Sequence, residues 1–321
     1  MAFLDSEENP HIRDLGTALV LAIERDEGVE VSDLKYIGKT KVEKLLYLGI
    51  EEFDLPVTYC WYLAGAKIAD CDVDVSTLKK QAGGNGNYKL SNSLQQIQKS
   101  SGVRKSPSNK TNKSKVNEYS RFYTKKINLE GVFYKPLLDY LYEFYNEYAP
   151  KEYAQVYLRS IDYRQILNQI QKDIENQVGE HNQSSLADFN SQTPKLQDRR
   201  GSLDDASTSL RMELTAIDDL DHTVTTFKRF SSLLNKSYAK ILQLDYEDHK
   251  MEHLNHIEDL SQFFYSWVWQ HPCLIIAKNT AVGPKKWELI SAIQNRRDRF
   301  MTDFKTEIEK HRSAQARIFE L

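Results

Sequence analysis

The chain has 321 residues and a mass of 37.3 kDa, length enough for about two domains. Its 43 Lys plus Arg nearly balance 46 Asp plus Glu, for a formal net charge of −3, and an aromatic content of 11% excludes a wholly disordered chain. Thirteen Gly and eight Pro are too few for an all-β sandwich, and a mean hydropathy of −0.60 with no unbroken apolar run excludes a bilayer span.

In chain order, Ile12, Leu15, Leu19 and Ile23 fall on one helical face that Gly28 can end. A second helix is predicted from about Lys39 to Glu52, with Val42, Leu45, Leu46 and Leu48 toward a core and Pro56 beyond its end. A third apolar stretch, 57–68, follows in this N-terminal part, which reads as short helices. Gly83-Gly84-Asn85-Gly86-Asn87 reads as a loop, and residues 100–115 as a polar linker. From Pro136 the pattern is Tyr-rich and helical, with helices at 137–148 and from Pro150 toward Val178. Residues 179–206 hold Gly179, Pro194 and Gly201 and are read as a loop. Between Gly201 and Pro272 neither Gly nor Pro occurs, and Ile217/Leu220, Val224/Phe227, Ser231/Leu234 and Tyr238/Ile241 repeat every seven residues. A further stripe runs through Leu254, Ile257, Leu260, Phe264 and Val268. After Gly283-Pro284 a last helix carries Trp287, Ile293, Met301, Phe304 and Ile308. The expected fold is mainly α: a small helical N-terminal domain over 1–98, a basic linker over 99–126, and a long-helix bundle over 127–321 with a polar loop at 179–206.

Charge supplies one candidate site. Residues 1–98 have a net charge of −6, whereas 99–126 carry nine cations against Glu118 alone. Arg104, Lys105, Lys110, Lys113, Lys115, Arg121, Lys125 and Lys126, interleaved with Phe122 and Tyr123, have the residue types of a nucleic-acid site, in which cations hold phosphates and rings stack on bases. A solvated linker explains the same run. His249, His253 and His256 share one helical face and are the candidate metal ligands, but no His-Glu-x-x-His and no second ligand segment accompany them, so neither metal nor cofactor is expected. Gly38-Lys39-Thr40 resembles the tail of a phosphate loop, yet Asp33 stands where the first glycine belongs, so it reads as a helix start. Ser76-Thr77-Leu78-Lys79 matches a Ser/Lys nucleophile spacing without a supporting second motif. Cys60, Cys71 and Cys273 form no CxxC, and Asp5, Glu7 and Glu8 occupy the place of a leader's basic region, so a reducing cytoplasmic location is expected.

Within residues 35–98, the stretch 41–68 holds the Lys44-Leu45-Leu46-Tyr47-Leu48 helix, then Pro56 and Thr58, then Trp61-Tyr62 shortly before Gly65. This pattern resembles the Panacea (SocA-like) antitoxin domain, with Gly65-Ala66 where that family usually has Gly-Pro. The resemblance implies a small helical domain of prokaryotic toxin–antitoxin or phage-defence modules that holds a protein partner and is not catalytic. The expected function is therefore a non-enzymatic interaction or regulatory protein, self-associating through its C-terminal helices. The alternative is a nucleic-acid-binding subunit using 99–126.

Overall fold

In the computed structural model the chain is mainly α-helical, with one two-stranded sheet among the described residues, which are 10–23, 25–26, 28–29, 38–69, 113–179, 186–217, 220–242 and 250–320. It divides into two units: residues 1–141 with 280–292, and residues 142–279 with 293–321.

In the first unit, α1 (Pro10–Ile23) opens on a proline, which needs no donor in a first turn. It buries the expected Ile12, Leu15, Leu19 and Ile23. Helix α2 (Lys39–Glu52) starts after Gly38 and buries Val42, Leu45, Leu46 and Leu48. Residues 57–68 are not helical. The β-favouring Tyr59–Tyr62 forms β1, which pairs antiparallel with β2 (Gly65–Ile68), Trp61 lying opposite Ala66. Gly65 takes a φ of 88°, which favours glycine where the hairpin turns back.

The basic segment also departs from expectation. Residues 113–126 are helix α3 (Lys113–Lys126), which turns Val116, Tyr119, Ser120 and Tyr123 into the core shared with α1 and α2. A four-residue stripe on a basic helix is enough to dock it, so this part is no linker; residues 99–112 lie outside the described residues. Helix α4 (Leu129–Tyr134) is capped by Asn128, whose side chain accepts from the Gly131 N–H at 2.9 Å. Helix α5 spans Leu137–Tyr148.

Residues 280–292 complete this unit. Tyr59 and Val282 exchange backbone hydrogen bonds of 3.2 and 3.0 Å at the free edge of β1, and the Lys285 N–H donates to Thr58 Oγ1 at 2.9 Å. The first unit is thus discontinuous and does not end near residue 98. Gly283, at φ 96°, lets the strap approach: a Cβ there would stand 2.4 Å from the Val57 carbonyl oxygen.

The second unit is a helical bundle built from α6 (Ala154–Gly179), α7 (Leu186–Thr215), α8 (Leu220–Ile241), α9 (Lys250–Phe263), α10 (Gln270–Thr280) and α11 (Lys286–Glu320), the last two sharing a few terminal residues with the first unit. The seam residues Phe227, Leu234, Tyr238 and Ile241 are buried as their spacing predicts. Residues 186–206 are helix rather than loop: Pro194 and Gly201 both sit inside α7. Burial of Leu203, Ala206, Leu210 and Leu214, with an Arg199–Asp173 ion pair to α6 at 3.0 Å, offsets their poor helix propensity. Pro272 falls in the first turn of α10, where it is tolerated. In α11 the buried stripe is Leu289, Ile293, Phe300, Phe304 and Ile308, while Trp287 is 75% exposed.

Candidate partner groove and basic helix

Gly38 is the N-cap of α2, with extended backbone and no side chain to cap the first turn. That turn carries no acid, so the helix itself supplies nothing to offset its positive end. Lys41, one turn in, is buried; its ammonium donates to the carbonyls of Phe133 at 3.1 Å and Lys135 at 2.7 Å and lies 5.7 Å from the Tyr140 ring centroid. Burial draws its pKa below the usual lysine value. Two carbonyls at the broken joint between α4 and α5, freed because Pro136 interrupts the helix, are satisfied in this way.

Between Gly38–Lys41 and Phe133–Leu137 a cavity of about 440 Å³ remains. Buried Phe133 lies at one wall, while Tyr134 and Leu137 stay 50% and 43% exposed. Lys41 and Lys135 are its only charged lining residues among those described. An apolar wall beside a helix N-terminus and two lysines suits an apolar side chain flanked by a carboxylate. Sequence reasoning missed this groove; Gly38 and Lys135-Pro136 signal helix ends, but not that the two ends meet.

The candidate nucleic-acid residues separate. Lys113, Lys115, Arg121, Lys125 and Lys126 stand on the exposed face of α3. Tyr123 is fully buried, donating from its hydroxyl to the Leu45 carbonyl at 3.0 Å, and burial raises its pKa. Phe122 packs edge-on against Phe53 at 5.6 Å. Tyr123 is therefore a core ring, not a stacking platform, because the helix periodicity that exposes the cations turns it inward. Arg104, Lys105 and Lys110 lie outside the described residues.

His253 and His256 share a face of α9, as their spacing predicts, but α11 covers it. The His253 ring lies 5.9 Å from Phe319 and the His256 ring 6.4 Å from His311. These histidines are buried rather than solvated, and no group of three His, Cys, Asp or Glu among the described residues has metal-binding geometry. His249 lies outside them, as do Ser76–Lys79 and Cys71. Cys60 is buried, its thiol pKa pushed up to about 12 by desolvation against the lesser pull of Lys67 and Lys44, and Cys273 is buried too. Both are packing thiols. Gly38-Lys39-Thr40 does open a helix.

The fold defines a mainly helical protein. The chain belongs to the family described as a domain of unknown function (DUF8098), whose model matches residues 1–318 and so runs through both units. No curated protein matches the chain, and no solved structure does. No helix among the described residues is long and apolar enough to cross a membrane.

Proposed function

We propose that this is a non-enzymatic, cytoplasmic interaction protein of the antitoxin-like or defence-module kind, whose first unit holds an acidic, apolar segment of a protein partner. The groove between the start of α2 and residues 133–137 carries this reading, because it joins exposed Tyr134 and Leu137 to a helix N-terminus whose first turn holds no acid. The resemblance of residues 41–68 to Panacea domains supports it: Lys44–Leu48, Pro56 and Trp61-Tyr62 cluster in α2 and the adjoining hairpin, in the unit that bears the groove. Selection of a displayed peptide library on the full chain tests it. Peptides with an apolar residue next to Asp or Glu should be enriched, and their binding should disappear in Tyr134→Ser/Leu137→Ser while the melting temperature stays put. Failure to enrich any motif, or binding indifferent to both substitutions, would defeat the assignment.

The exposed cations of α3 favour a second reading, a polyanion partner. There, replacing Arg121, Lys125 and Lys126 by Gln should flatten the log-affinity versus log-salt slope by about 0.9 for each duplex phosphate that the variant no longer neutralises. Absence of DNA or RNA retention at physiological salt would remove this alternative.

A further inference from the structure

In the second unit α6 and α9 face each other across a cavity of about 380 Å³, within the range of small-molecule sites. Apart from Leu167 and the Tyr265 ring its lining is polar, where paired helices usually place aliphatic side chains. Arg164, Asn168 and Gln171 line it from α6, and Glu258 and Gln262 from α9. Tyr265 completes the set from a π-helical turn, Phe264–Val268, in which the Trp269 N–H donates to the Phe264 carbonyl at 2.8 Å. Such turns concentrate at functional sites, because the inserted residue re-aims side chains that a regular helix would bury.

The geometry within this cavity is specific. The Arg164 guanidinium carbon lies 4.5 Å from the Tyr265 ring centroid, and both side chains are half-buried. A planar cation against a ring forms a platform on which a third flat, polarisable group stacks favourably. Half-buried Gln171 lines the cavity and exposed Asn168 and Gln262 stand at its rim, and such amides match the donor–acceptor pair on a purine edge. Glu258 adds an acceptor for an exocyclic amine or a ribose hydroxyl. A single cation serves one phosphate at most, which argues against a triphosphate.

We propose that this cavity binds a purine nucleoside or nucleoside monophosphate. The base stacks on the outer face of the Arg164–Tyr265 platform, and the amides read its edge. The site lies within the second unit and does not rest on the partner groove. Calorimetric titration of the full chain with adenosine, AMP, GMP, CMP and ATP tests it. One of the purine ligands should bind saturably, with Kd below about 1 mM, and CMP at least about tenfold more weakly. Arg164→Ala and Tyr265→Ala should each weaken binding about tenfold or more, without moving the melting temperature. Asn168→Leu/Gln171→Leu should erase the preference between adenine and guanine. No saturable purine binding at millimolar concentration would overturn the proposal, as would binding unchanged in both alanine variants. ATP bound far more tightly than AMP would overturn it as well, since Arg164 is the one cation lining the cavity among the described residues.

Discussion

The Lys44 ammonium donates to the Ala66 carbonyl at 2.5 Å, joining α2 to β2 from a side chain that is only 1% exposed. This lysine is a core residue, and its long stem fills space between helix and hairpin. Lys44→Ala removes both the hydrogen bond and the volume and should cost about 2–5 kcal/mol. Lys44→Met keeps most of the volume and should cost clearly less. Urea unfolding of the two variants separates the contributions; equal losses would assign the effect to the polar contacts of the ammonium rather than to its stem.

Leu45 and Leu46 have no exposed surface. Leu45→Asp or Leu46→Asp places an unpaired carboxylate among apolar groups and should cost more than about 3 kcal/mol. Circular dichroism should show loss of cooperative unfolding, and a double mutant with an unchanged melting temperature would contradict the packing of α2.

Gly49 offers a test in which two effects oppose. Alanine inside a helix normally stabilises by about 0.5–1 kcal/mol. Here a Cβ would stand 2.6 Å from the Tyr123 hydroxyl and 2.7 Å from Leu15 Cδ2, both in the core. Overpacking of about 1–3 kcal/mol should win, so Gly49→Ala should lower the melting temperature. Pairing it with Tyr123→Phe, which removes the hydroxyl, should restore part of the loss.

Two buried histidines set an acid limit on the second unit. Burial draws the pKa of His256 from 6.5 to about 4, with His311 adding to the shift; His271, bonded to Thr223 at 2.7 Å, also falls to about 4, with His222 adding. The unfolded chain therefore binds these protons first. Their contribution is complete above about pH 6.5 and is lost as pH falls toward 4, at about 1.4 kcal/mol per pH unit for each site. His256→Gln should flatten the stability profile between pH 6.5 and 4 by about one proton relative to the parent chain. Parallel profiles would show that His256 titrates normally.

Much of the helical framework was legible in sequence because local periodicity decides it: residues 39–52 and 137–148 are predicted as helices, and α2 and α5 occupy them. What escaped depends on distant partners. Residues 57–68 carry apolar side chains that suit either period; β1 pairs with β2 in a local hairpin, and only its outer edge, at Tyr59, finds the distant Val282. Pro194 and Gly201 look like breakers until α7 is seen packed along α6. Tyr123 sits among cations in sequence but inside the core in space. Neither cavity could be read at all, since each is made by side chains far apart in the chain.

The strap at 280–292 has a consequence for how the protein is made. Its contacts with Thr58 and Tyr59 link positions more than 200 residues apart, the kind of closure that slows folding. On the ribosome the hairpin emerges long before its neighbour exists, so β1 keeps an unpaired edge through the synthesis of nearly the entire second unit. Such an edge is a hazard for association between nascent chains, and completion of the first unit waits for a strap made only after nearly all of the second unit, rather than following the order in which the units begin.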